Sequence, residues 1–388
     1  MYQIWLIAAV LSGSFLAGCL LTFLSSVRPA LRDRFALSET QDQRVSLSFY
    51  VSLMVMMVFS GWLVDTWGSG PTVMLGALLG SFGLACLGLN KQQSTVMFAV
   101  VALGAGTALL HVSCATAMPY LFFPDEPNRA AGATNIGYAA FGLGILLMPL
   151  IAGGLLKKFE FRNSQLLMSL AVLLPAGLMF GGHLDASEPH TLPTQRQLVV
   201  LLQDYRIYAA ALSIFLFHLL ERSVLVWAPP YLEDIGYKRQ WVRGVVLGGF
   251  WVTFLAGRLL CGTIESLAYA DLTLAICIVA TAAFAGNMIG TNNWANGAVC
   301  FWLLGLCLGP MLPTLVGTIF YKYSPEKSPV PSGLAFGLIV GLGIIGRYVA
   351  DPLVHRMLRK DKIRSSMWVT MITAIAIIAP MLAWLLSE

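Results

Sequence analysis

Twelve times along this chain of 388 residues, a stretch of about twenty apolar side chains runs between polar breaks. At 1.5 Å of rise per residue, that length is what a helix needs to cross the roughly 30 Å hydrocarbon layer of a bilayer. The runs are approximately 4–24, 44–65, 71–90, 95–118, 132–156, 164–183, 206–232, 242–263, 270–290, 294–321, 333–356 and 366–386. Composition agrees: 57% of residues are hydrophobic and 11% are charged, against about 25% charged in soluble domains. No soluble core of this size holds so much apolar side chain without large exposed patches. The same figures exclude a disordered chain and a disulfide-rich secreted scaffold. The reading is an all-α, multi-pass membrane protein with twelve transmembrane helices.

The net charge of +5 is small and dispersed, and no Lys/Arg tract suggests nucleic acid as a partner. All seven cysteines fall inside apolar stretches without a CxxC or a Cys/His cluster. They read as small buried side chains, with no disulfide, metal or cofactor expected. The first run lacks a basic leader and is long enough to span, so it reads as a first transmembrane helix and not a cleaved signal peptide. HExxH, GxSxG and GxxxxGK[ST] are all absent. The expectation is therefore no enzyme and no direct use of ATP, with any transport driven by a gradient.

The chain divides near its middle. Residues 184–205 are its most polar stretch and read as a central linker between halves 1–183 and 206–388. Sliding the sequence against itself by 201 residues pairs Pro29 with Pro230, Leu31 with Leu232, Gly61 with Gly262 and Gly104 with Gly305. The same offset pairs Pro124 with Pro325, Gly132 with Gly333 and Gly142 with Gly343. Glycine and proline set turns and close helix approaches, so seven matches at one ungapped offset mark an internal repeat. The offset spans six helices, an even number, so the two halves enter the membrane in the same direction as parallel repeats.

On this layout the chain resembles the major facilitator superfamily, and local motifs carry the resemblance. Gly61-Trp62-Leu63-Val64-Asp65-Thr66-Trp67-Gly68 is similar to the superfamily's G-x-L-x-D-x-x-G signature after the second helix. The basic residues that usually follow are replaced by Ser69, Gly70 and Pro71. Gly257-Arg258-Leu259-Leu260-Cys261-Gly262 resembles its half-repeat counterpart, G-R-x-x-x-G, and Gly142, Gly144, Pro149, Gly153 and Gly154 resemble its Gly/Pro-rich fifth helix. The resemblance implies a secondary transporter working by alternating access, with gating contacts at Gly61, Asp65, Gly68, Gly257, Arg258 and Gly262. A looser similarity runs to the fucose/proton-symporter group, through Gly104-Ala105-Gly106 with Pro119-Tyr120, and through Glu221 with Trp227 and Tyr231. That group relies on acids in helices one and four; the first helix here has none, and the fourth offers His111.

A charge placed mid-bilayer costs at least about 2.5–3.5 kcal/mol, which marks the few such residues as functional candidates. His218, Glu221 and Arg222 lie at i, i+3 and i+4 in the seventh helix, on one face. They read either as a proton-coupling or anion-binding site, with Arg222 held by Glu221, or as an internal salt bridge. His111 lies mid-way along the fourth helix, which lines the cavity in the superfamily, and reads as a binding residue or a packing histidine. Trp302 in the tenth helix is a further binding candidate, with Gly309, Pro310 and Pro313 able to bend that helix. Arg347 and Asp351 are spaced as a local i, i+4 ion pair. The GxxxG spacings at Gly76/Gly80, Gly244/Gly248 and Gly337/Gly341 read as close helix approaches.

Orientation signals conflict. Odd-numbered loops carry sixteen Lys and Arg and even-numbered loops five, so the positive-inside rule places the termini outside. The signature at Gly61–Gly68 places them in the cytoplasm, and that assignment is preferred. The outer face is then basic and suits an anionic or zwitterionic organic solute. The expectation is a monomeric, proton-coupled symporter of a small organic solute in a plasma or inner membrane. An exporter of amphipathic compounds, suited to a chain with 16 Met and 21 Phe, and a non-transporting receptor on the same fold stay open as alternatives.

Overall fold

A computed structural model describes residues 2–124, 126–182, 194–358 and 363–386. Among them are twelve helices long and apolar enough to cross a membrane, and no strand. They are α1 (Gln3–Phe35), α2 (Glu39–Trp67), α3 (Ser69–Leu89), α4 (Gln93–Phe122), α5 (Pro127–Lys158) and α6 (Phe161–Phe180). The series continues with α7 (Tyr205–Asp234), α8 (Gln240–Cys261), α9 (Leu267–Gly290), α10 (Trp294–Lys322), α11 (Ser332–Met357) and α12 (Ile363–Leu385). A short helix, Gln195–Gln203, precedes α7. Residues 184–193 of the expected linker lie outside the described residues.

Local chemistry sets the ends. Ser38 and Gln41 form a reciprocal capping box at the start of α2. Asp204 caps α7 through the Arg206 amide, and Ser266 caps α9 through that of Tyr269. Between α2 and α3 the chain turns on Gly68, whose φ of 86° is open to glycine and costly for other residues. Helix α1 runs eleven residues beyond its expected end at 24. Val27, Leu31 and Phe35, at i, i+4 and i+8, are buried and hold the extension in place. Helices α6 and α12 each break, at Leu173 and Ile377, shortly before Pro175 and Pro380 remove a helix donor.

The chain forms two compact units. Unit 1 comprises residues 1–127, 137–198 and 322–341, and unit 2 comprises 128–136, 199–321 and 342–388. Unit 1 thus includes the opening turns of α11, and unit 2 those of α5. The repeat offset carries one of these segments onto the other.

Within each unit, helices meet backbone to backbone at glycine. In unit 1, a Cβ on Gly18 would strike the Phe141 carbonyl, and one on Gly144 the Phe15 carbonyl, where α1 crosses α5. Gly76 and Gly106 do the same for α3 and α4. In unit 2, Gly257 abuts Leu306, Gly305 abuts Phe250 and Gly309 abuts Phe254, so α8 lies along α10. Gly346 meets Phe215 where α11 crosses α7. The Gly244/Gly248 spacing makes no such approach, because nothing lies within 4 Å of either position. The close contact on that helix falls instead at Gly249, against the Trp302 indole.

Gly144→Val forces backbone apart and should cost about 1–3 kcal/mol, lowering the thermal midpoint of the detergent-purified protein. Gly153→Val, at a position with open space around it, should leave the midpoint unchanged.

Candidate functional site: buried charge on the seventh, eighth and eleventh helices

Helix α7 carries two titratable side chains into the interior midway along its length. Glu221 is 5% exposed and His218, one turn earlier, is 6% exposed. The Glu221 carboxylate stands 3.6 Å from His218 Nδ1 and 3.5 Å from the Arg347 guanidinium on α11. Arg258 on α8 is near enough for its charge to act on Glu221 as well. Glu221, His218, Arg258 and Arg347 all belong to unit 2.

The pairings differ from those the spacing suggested. Arg222 is half-buried, and the cation opposite Glu221 is Arg347. Adjacent residues on a helix point about 100° apart, so Arg222 and Glu221 do not face one another. Arg347 looks across to α7; the side chain of Asp351, its expected i, i+4 partner, lies outside the described residues.

Arg258 is 2% exposed; its Nε donates to the Gly309 carbonyl at 2.9 Å, and its guanidinium lies 4.5 Å from the Phe254 ring centre. That carbonyl needs a donor because Pro313, four residues on, has no N–H to offer. Thr134 and Asn135, from the opening of α5, reach the same turn of α10. Thr134 Oγ1 donates to the Pro313 carbonyl at 2.7 Å, and Asn135 Nδ2 to Thr314 Oγ1 at 2.8 Å. Sequence reasoning passed over this polar network, although an adjacent Thr-Asn pair inside an apolar helix was a visible signal. Gly257 lets α8 approach α10, and Gly262 packs against Ile136 and under Gly132.

In unit 1, Asp65 ends α2 by accepting two backbone hydrogens from the first turn of α11. Gly333 N donates to Oδ1 at 3.0 Å and Leu334 N to Oδ2 at 2.6 Å. A carboxylate at a helix N-terminus satisfies orphan amides and meets the positive end of the helix dipole. Gly61 makes room for the approach: a Cβ there would strike the Gly333 carbonyl. Ser69, where the signature usually turns basic, is buried against Thr116 at 3.4 Å.

His111 on α4 is 8% exposed; its Nε2 shares a 3.2 Å hydrogen bond with the Tyr138 hydroxyl. Phe141 and Phe336 flank the imidazole, with ring centres 4.8 and 6.2 Å away. The three aromatic partners carried no signal in sequence. Trp302, half-buried, spends its indole N–H on the Val246 carbonyl at 2.9 Å, and so ties α10 to α8.

Comparison with known proteins bears on this arrangement. The family model described as Major Facilitator Superfamily matches residues 10–334. The "Cis,cis-muconate transport protein" of Acinetobacter baylyi is 22% identical over 359 residues, covering 87% of this chain and 83% of that protein. An "Uncharacterized transporter YclF" of Bacillus subtilis is 32% identical over 118 residues, which span 30% of this chain and only 24% of that relative. Among solved structures, the E. coli fucose:proton symporter superposes with a TM-score of 0.79 at 15% identity, covering 98% of each chain. At that identity the likeness is one of fold.

Asp65→Asn keeps the shape of the cap and removes its charge. It should weaken the first turn of α11 by about 0.5–2 kcal/mol. Hydrogen exchange at the Gly333 and Leu334 amides should accelerate accordingly, while amides of α4 stay protected.

Proposed function

The chain belongs to the major facilitator superfamily, which makes it a multi-pass membrane transporter and not an enzyme, and from that premise we propose that it is a proton-coupled symporter of an organic carboxylate. One observation carries the reading: the buried Glu221 carboxylate, flanked by Arg347 and His218 at 3.5 and 3.6 Å. Both contacts are longer than the roughly 2.7–2.9 Å of a well-formed charge-assisted hydrogen bond. Protonating Glu221 removes the charge that holds Arg347. The guanidinium then takes a substrate carboxylate in its place, for which its planar fork is suited. Release of substrate and of the proton restores the ion pair. His218 is the neighbouring group able to pass the proton. Solute and proton therefore move together, because each alone leaves a charge uncompensated in a low-dielectric interior.

A relative that moves cis,cis-muconate, a dicarboxylate, supports an anionic solute. So does the basic face formed by the odd-numbered loops, which is external when the termini are cytoplasmic. Part of that charge is neutralised locally, since Arg28 pairs with Asp42 at 2.6 Å and Arg243 with Glu233 at 3.6 Å. We place the protein in a plasma or inner membrane as a monomer. His111 is assigned to the solute path and Asp65 to gating.

In proteoliposomes, an inward proton gradient should drive uptake of a carboxylate from a panel of mono- and dicarboxylates. Glu221→Gln should leave uptake indifferent to the gradient. Arg347→Gln should raise KM at least about tenfold, and pairing the two substitutions should recover the stability that either one loses alone. If no carboxylate responds to the gradient in the unmodified protein, the reading fails. Replacing Lys157, Lys158, Lys238 and Arg239 together by Gln should raise KM at low salt and have little effect at high salt, where screening already removes their attraction. An unchanged KM at low salt would argue against an external basic vestibule.

A further inference from the structure

The short helix Gln195–Gln203 does not behave as the polar linker its position suggests. Leu198, Val199, Val200 and Leu202 are each 41–51% exposed, and only Leu201 of this apolar run is buried. Four neighbouring large aliphatic side chains left in water cost several kcal/mol, and a patch of this kind marks a contact surface. Its place in the chain identifies the contact. Helix α7 begins two residues after Gln203. Its exposed residues Tyr205, Tyr208 and Leu212 fall at i, i+3 and i+7, the stripe a transmembrane helix turns to lipid. Tyrosines at the end of such a stripe mark the level of the headgroups. The Tyr208 hydroxyl donates to the Leu202 carbonyl at 2.7 Å, which pins the end of the short helix to that level. At its other end, Thr194 and Gln197 form a cap, and Gln197 Nε2 donates to the Pro329 carbonyl at 2.5 Å.

We propose that Leu198–Leu202 is an in-plane membrane anchor, its apolar side chains buried at the boundary between phospholipid headgroups and acyl chains. The lipid-facing stripe of α7 continues directly into it, so one occupant, the phospholipid surface, covers both. Insertion is apolar; the exposed Arg196 shares the face of Val199 and Val200 one turn earlier, and its long aliphatic stem lets the guanidinium reach up to the phosphates. The anchor holds the middle of the chain on the membrane, on the same side as both termini, while the helices it joins stay in the bilayer.

Benzoylphenylalanine placed at Val199 or Val200 in the full-length protein, and photoactivated in native membranes, tests this. The expected product is a phospholipid adduct, identified by the mass of the modified peptide. Replacing Tyr208 by Phe should reduce the adduct yield by freeing the Leu202 carbonyl. An adduct to another segment of this chain, an adduct to a second protein, or no adduct at Val199 and Val200 would each overturn the proposal. Val199 and Val200 are exposed, and an unchanged thermal midpoint of the detergent-purified, probe-bearing protein verifies that it is intact.

Discussion

Hydrocarbon supplies no hydrogen-bond partner, so every backbone group in a membrane span must be satisfied from within the protein. That constraint accounts for an all-helical chain, and it explains where the polar side chains go. Each proline inside a span removes a donor and leaves the carbonyl four residues earlier without its usual partner. In α10, Pro313 frees the Gly309 carbonyl, and Arg258 supplies the missing hydrogen. The opening of α11 exposes amides, and Asp65 accepts two of them. Arg258 and Asp65, which look isolated in an apolar sequence, thus stand where the helical ladder is broken.

The repeat shows how the same constraint is met twice. Gly61 approaches Gly333 in unit 1, and Gly262 approaches Gly132 in unit 2. The offset of 201 residues carries Gly61 onto Gly262 and Gly132 onto Gly333, so one backbone contact is built from the same pair of positions in opposite order. The chemistry around it has diverged. The residue that corresponds to Asp65 is Ser266, which caps its own helix through Tyr269. Glycine is retained by a steric requirement with no substitute, whereas a cap can be exchanged for another.

The helices were legible because hydropathy accumulates over about twenty residues and tolerates single errors. Their ends were less so. The extension of α1 to Phe35 leaves the lipid, and its Val27, Leu31 and Phe35 signal is only three residues long. Repeat glycines were visible as identities, yet spacing alone does not say which glycine meets a neighbour: Gly244 and Gly248 meet nothing, and Gly249 meets Trp302. That Glu221 lies inside the bilayer could be read from its surroundings in sequence. The cation opposite it could not, because Arg222 is adjacent in the chain and Arg347 is adjacent only after α7 and α11 have packed. The apolar run Leu198–Leu202 was hidden by the polar average of the segment around it.

The tightness of the ion pairs separates two kinds of charge in this molecule. Asp65 holds its amides at 2.6 and 3.0 Å, and Arg28 holds Asp42 at 2.6 Å. Glu221 keeps Arg347 and His218 at 3.5 and 3.6 Å although it is more deeply buried than Asp65. Burial raises both the attraction between opposite charges and the cost of leaving either unpaired. A purely structural staple would gain most from the shortest geometry there, since nothing would ever need to undo it. A group that exchanges one partner for another in every cycle gains from the opposite arrangement, because a pair held at its optimum has to be broken against its full interaction energy. Slack at a carboxylate midway along a membrane span, beside tight contacts at Asp65 and at the more fully buried Asp42, is what partner exchange requires of a buried charge.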